Sequence, residues 1–227
     1  MVSVDLAQTT LGPNSFHKGV CGRRNTQLEK QCSMTIEMYT AGIRRYLTQL
    51  QDVLTKVDVG EIAAIADVLH TAYQRQKAVL VMGNGGSGAT ASHMVCDMNK
   101  GACFHAEKKF RFISLADCTP MILALGNDID FESIFVEQLK AYAQPGDVVF
   151  GISGSGNSPN VLRAIEYAKK LGCVTIGVCG YDGGKLKSLV DHCFHVKVDD
   201  MQFVEDVHMI LVHVLMRILD AGKQGSY

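Results

Sequence analysis

The chain has 227 residues, with 22 basic and 23 acidic side chains and a formal net charge of -1 at pH 7. That length suits one domain with a full hydrophobic core, and a balanced charge removes any general attraction to nucleic acid or an anionic membrane surface. No apolar run approaches the ~20 residues of a membrane span, and the polar first thirty residues lack the apolar core of an export signal, so a cytoplasmic protein is expected.

Residues 1–27 contain Gly12-Pro13-Asn14 and little periodicity, and read as a flexible arm. From Gln27 to Leu54 apolar residues recur at spacings of three and four (Met34, Ile36, Met38, Tyr39, Ile43, Leu47, Leu50), which predicts a long amphipathic helix. So much apolar surface on a flanking helix implies burial against another subunit. Val59 to Tyr73 reads as a second helix.

The stretch from Ala78 to Asp97, AVLVMGNGGSGATASHMVCD, then runs from a buried strand through a Gly/Ser loop into a helix. Such a loop presents unpaired backbone N–H groups and the positive end of a helix dipole, which together suit a phosphate. Phe110 to Leu115 reads as a second strand, with Asp117 in its exit loop, and helices follow from Pro120 and through Ala143. The first pattern then returns: DVVFGI at Asp147 to Ile152 leads into Ser153-Gly154-Ser155-Gly156-Asn157-Ser158, and Pro159 opens a helix to Leu171. Cys173 to Cys179 and Cys193 to Val198 read as further strands, and Met201 to Leu219 as the closing helix. Strands alternating with helices predict an α/β fold: a three-layer α/β/α sandwich around a five-stranded parallel sheet, with ligands at the carboxyl ends of the strands.

Neither loop is GxxxxGK[ST], and neither meets the GxGxxG pattern with its acidic partner, so nucleoside triphosphates and dinucleotides are disfavoured. Hydroxyl-rich loops without lysine fit a phosphate monoester on a small molecule. His93 and Asp97 stand four apart and share a helix face. Glu205 and His213, eight apart, fall within about 80° of each other on theirs. The eight cysteines are dispersed and form no CxxC, which reads as buried thiols in a reducing compartment rather than a disulfide or zinc framework. His208 reads as structural, and His17, His70, His105, His192 and His195 receive no role.

GNGGS with a His six residues after the Ser, LGND at Leu125 to Asp128, ISGSGNSPNV, TIGVCGYDGG and the late VHMILVHVL resemble the SIS (sugar isomerase) domain family, its phosphoheptose isomerases above all, over about residues 36 to 220. The resemblance implies a single SIS domain over 28–227 with flavodoxin-like strand order and N-terminal oligomerisation helices. It implies an aldose–ketose isomerase converting sedoheptulose 7-phosphate to a heptose 7-phosphate by C1/C2 proton transfer, working as a homotetramer with shared pockets. On the matching positions Asp97 and His213 are the acid/base pair. His93, Asp97, Glu205 and His213 are the ligands of a divalent metal, zinc foremost. Asn84, Gly85, Ser87, Asp117, Ser153, Gly154, Ser155, Ser158 and Glu205 are substrate contacts. The chain departs from the family where Asp97 replaces the usual Glu, Glu205 the usual Gln, and Gly154 the middle Thr of a Ser-Thr-Ser loop. An Arg after the first site helix has no match, Lys100 being nearest. Two carboxylates beside an enediolate would repel without a cation or proton, which favours a metal. The departures leave two alternatives: a non-catalytic phosphosugar-binding or docking module, and an isomerase of a different phosphosugar.

Overall fold

The computed structural model of the protein describes residues 25–220, with side chains from residue 34 on; most of the expected N-terminal arm lies outside the described residues. Two compact units divide after Thr48. The first is occupied by helix α1 (Asn25–Leu54), on which Met34, Ile36, Met38, Tyr39, Ile43 and Leu47 are all more than half exposed. The last turns of α1 fall in the second unit, where Leu50, Val53 and Leu54 pack against the core.

The second unit is built on five parallel strands: β1 (Val79–Gly83), β2 (Phe112–Ser114), β3 (Val148–Ser153), β4 (Val174–Cys179) and β5 (His192–His195). Their order is β2-β1-β3-β4-β5, the flavodoxin-like arrangement expected from the sequence. The central strands β1 and β3 are buried throughout, as continuous apolar runs require in a sheet covered on both faces. The edge strands β2 and β5 are shorter than their apolar stretches.

Alternation along the strands sorts the core into two layers. Val79 and Val81 of β1 and Val148, Phe150 and Ile152 of β3 face one side. There they meet α2 (Val59–Gln74), α3 (Gly85–Cys96) and α8 (Met201–Ile218), through residues such as Leu69, Met94 and Leu211. Leu80, Met82 and Val149 face the other side, against α5 (Ile134–Tyr142), α6 (Pro159–Leu171) and α7 (Gly184–Leu189), contributing Leu139, Ile165 and Leu186. Helix α4 (Thr119–Asp128) lies between β2 and α5 in the chain. Local signals set the ends: the Asp58 carboxylate accepts from Gly60 and Glu61 at the start of α2, Asp200 does the same for Gln202 and Phe203 at the start of α8, and Gly172 closes α6 with a φ of 84°.

His208 on α8 is 1% exposed, and among the described residues neither ring nitrogen has a partner in hydrogen-bonding geometry. Burial pushes its imidazole down from 6.5 to about 4, against a smaller opposing pull from the Cys179 backbone. The ring is therefore neutral in the fold, while the unfolded chain binds its proton below about pH 6.5. Stability is full above pH 6.5 and falls as the pH drops toward 4, by an amount on the order of 3 kcal/mol from this residue. Urea melts at a series of pH values are expected to show that loss, and His208→Leu is expected to flatten the dependence in that window.

Candidate active site

Strands β1 and β3 are neighbours whose ends lie level, Gly83 opposite Ile152. From β1 the chain turns into α3 on one face of the sheet, and from β3 into α6 on the other. The two Gly/Ser loops therefore diverge from the point where strand order reverses, the place where open α/β sheets form their ligand crevice.

Each loop is organised by its own hydrogen bonds. In the second, Ser153 and Ser158 share a bond of 2.9 Å between their hydroxyls, and the Asn157 side chain donates to the Ser155 carbonyl and accepts from the Lys185 N–H. Gly156, at φ +67°, lies so close to the Gly183 carbonyl that no side chain fits there. Ser155 opens onto a cleft of about 720 Å³ lined also by Asn157, Tyr181, Lys197 and Met201. In the first loop, Asn84 and Gly85 line a smaller cavity of about 290 Å³ with Ser92, Phe131 and Phe135. Ser87 is buried. Asp117 is held through Oδ1 by the hydroxyls of Ser92 and Ser114.

Three of the four expected acid, base and metal residues come together. His93 Nε2 lies 3.1 Å from His213 Nε2 and 3.3 Å from Asp97 Oδ2, and His213 Nε2 lies 3.8 Å from Asp97 Oδ2. Their side chains are 44%, 21% and 54% exposed for His93, Asp97 and His213, so solvent and small molecules reach them. The backbone explains the meeting. Helix α3 ends at Cys96 and continues as a π-helical turn over Asp97–Gly101, closed by the Ala102 N–H on the Asp97 carbonyl at 2.8 Å. Gly101, bare of a side chain, accepts Met216 of α8 at a distance a Cβ would not permit. The contact lies where α8, which carries His213, packs against the turn that carries Asp97.

Glu205 stands apart from this group. Its carboxylate occupies the space of the missing Gly86 side chain, beside the first turn of α3. His213 is eight residues further along α8, a rise of about 12 Å. A shared angular face does not bring residues together when they are separated along the axis.

The metal test rests on the three donors. Zinc bonds of about 2.0–2.1 Å to imidazole nitrogen and carboxylate oxygen put neighbouring tetrahedral vertices about 3.3 Å apart. Separations of 3.1, 3.3 and 3.8 Å fit three such vertices, and a fourth would be left for solvent or substrate. These three are also the group of possible ligands found among the described residues.

A family model for the SIS domain matches residues 39–180. The chain belongs to the SIS domain family. Among curated proteins it is 42% identical over 166 residues to the phosphoheptose isomerase of Geotalea daltonii, covering 73% of this chain and 86% of that one. Among solved structures it is similar to phosphoheptose isomerases from Neisseria gonorrhoeae (TM-score 0.71, 26% identity, 84% of this chain and 99% of that one) and Francisella tularensis (TM-score 0.74, 27% identity, 82% and 98%).

Three contributors to this SIS site escape sequence reasoning: Ser92, which fixes Asp117; Asn160, which bonds Asn84; and Met201, which explains Gly154. A Cβ at Gly154 would stand 2.6 Å from Met201 Sδ, so the thioether fills the space a side chain at this position would take. Gly154→Thr is expected to destabilise by about 1–3 kcal/mol through overpacking. Met201→Ala in the same chain is expected to recover part of that loss, as read by denaturant midpoint.

Proposed function

We propose that the protein is an aldose–ketose isomerase that converts sedoheptulose 7-phosphate to a heptose 7-phosphate by moving one proton between C1 and C2. The meeting of one carboxylate with two imidazoles on α3 and α8 carries this reading, supported by the named activity of the relatives.

In this reading Asp97 removes the C1 proton and returns it to C2, while His213 gives a proton to O2 as charge gathers there in the enediolate and takes one back from the O1 hydroxyl as the aldehyde forms. His93, within hydrogen-bonding distance of His213, orients that ring. Ser153, Ser155 and Ser158 hold the phosphate, and Gly85 and Ser87 line the approach from the first loop at the start of α3. Asn84 and Asp117 take sugar hydroxyls; both bonds on Asp117 fall on Oδ1, leaving Oδ2 to the substrate. Glu205, beside Gly86, faces the sugar from above the first loop.

A divalent cation, zinc foremost, would be held by His93, Asp97 and His213. Bound there it would take the place of their free acid/base action, polarising the sugar oxygens and relieving the repulsion between acid side chains and a developing oxyanion. Copies of the chain assemble through the apolar side of α1, as a homotetramer with pockets completed by neighbours; the large exposed apolar residues of that helix support this. Free thiols at Cys96, Cys103, Cys118, Cys173, Cys179 and Cys193 agree with a cytoplasmic setting.

The test is incubation with sedoheptulose 7-phosphate, with and without added zinc, and chromatographic detection of the aldose phosphate. Turnover is expected, and Asp97→Asn or His213→Ala is expected to lower kcat by about 100-fold to 10,000-fold. Tight binding of the sugar phosphate without turnover under either condition would replace the isomerase with a phosphosugar-binding module.

A further inference from the structure

The β1–β3 ladder fixes the two loops as far as Gly83 and Ile152, beyond which α3 and α6 leave toward opposite faces. Past the end of that ladder a side-chain contact among the described residues ties the loops together. Asn84 Nδ2 donates to Asn160 Oδ1 at 2.9 Å, and Asn160 Nδ2 donates back to Asn84 Oδ1 at 2.9 Å. Asn84 is the N-cap residue of α3, and Asn160 follows Pro159 in the first turn of α6. Asn160 is 1% exposed, and its Oδ1 accepts the Val161 N–H as well, at 2.9 Å.

Each amide in this pair is both donor and acceptor, an arrangement that aspartate, serine or alanine cannot reproduce. A reciprocal pair also fixes distance and orientation together, because both bonds lengthen if either loop moves away. It ties the loop that carries the Ser153–Ser158 hydroxyls to the loop that carries the Gly85–Ser87 amides. Asn84 keeps one amide hydrogen and one lone pair after the pair is made, so it can hold the neighbouring loop and a ligand hydroxyl at once.

We propose that Asn160 is a positioning residue: through its paired bonds to Asn84 it sets the separation of the two Gly/Ser loops, and so the affinity of the crevice for a phosphosugar. The inference rests on the phosphosugar reading of the site but not on turnover. Affinity depends on donors from two loops being in place before the ligand arrives, since ordering them on binding subtracts from the gain. A buried amide serving only the fold would affect stability and leave the affinity of the folded fraction unchanged.

The experiment compares the unaltered chain with Asn160→Ala and with the isosteric Asn160→Asp, which keeps both acceptor roles but cannot donate to Asn84. Calorimetric titration with inorganic phosphate, KM and kcat for sedoheptulose 7-phosphate, and the melting temperature are read for each. Both variants are expected to weaken phosphate binding and raise KM by about tenfold, equivalent to about 1.4 kcal/mol, with kcat per folded chain changed by less than about threefold. A lowered melting temperature with phosphate affinity and KM unchanged in either folded variant overturns the proposal. If neither variant folds, the unaltered chain decides: the side-chain amide resonances of Asn84 and Asn160 are expected to shift together as phosphate is added, and no response overturns it. Weakened phosphate binding in the variants beside an unaltered chain that never isomerises the sugar supports the role of Asn160 and counts against the isomerase reading alone.

Discussion

Two adjacent parallel strands, β1 and β3, stop at the same level and send their chains to opposite sides of the sheet. Backbone N–H groups at the start of α3 lack partners inside that helix, whereas α6 opens on Pro159 and its Val161 N–H is taken by Asn160 Oδ1, so an anion in the opening would draw on the α3 amides and on the serine hydroxyls of the second loop. Side chains that would block the opening are absent where they would matter. Gly156 sits against the Gly183 carbonyl, and Gly86 makes room for the Glu205 carboxylate. The crevice therefore follows from strand order, with the Asn84–Asn160 pair as its cross-tie.

The chemical group lies further along the same helix. Helix α3 and its π-helical continuation carry His93 and Asp97 away from the first Gly/Ser loop, and α8 runs beside them to bring His213 to both. The three facing polar atoms would not stay together unaided. Two imidazole nitrogens at 3.1 Å need a hydrogen between them or a shared cation, and the Asp97 carboxylate lies within 4 Å of both. A site that holds one proton or one metal ion at a carboxylate–imidazole junction is suited to shuttling a proton between adjacent carbons.

Much of this was legible in the chain. The strands announce themselves as apolar runs ending at Gly or Ser, and the parallel, doubly covered sheet follows from their alternation with helices. His93 and Asp97 share a helix face because four residues make about one turn. The limits of legibility are physical as well. Glu205 and His213 satisfy the angular rule yet part by about 12 Å of helix rise, a term that periodicity alone ignores. The π-helical turn at Asp97–Gly101 depends on a bond between residues five apart that no local propensity marks. Asn160 and Ser92 gain their roles from residues 76 and 25 positions away, Asn84 and Asp117, and a single sequence carries no sign of such pairings. Met201 filling the place above Gly154 is a packing solution of the same nonlocal kind.

The central claim is that Asp97 and His213 pass a proton between C1 and C2 of a phosphorylated ketose bound in this crevice. Hydrogen exchange into sedoheptulose 7-phosphate, followed by NMR in deuterated water, tests it most directly, because it detects the proton transfer even when the aldose product is scarce. Because solvent reaches Asp97, the proton it holds exchanges over repeated transfers, and the account predicts that the unaltered chain replaces one of the two C1 hydrogens with deuterium and that Asp97→Asn does not. Retention of both C1 hydrogens by a ketose shown to be bound, or undiminished exchange in Asp97→Asn, would contradict it.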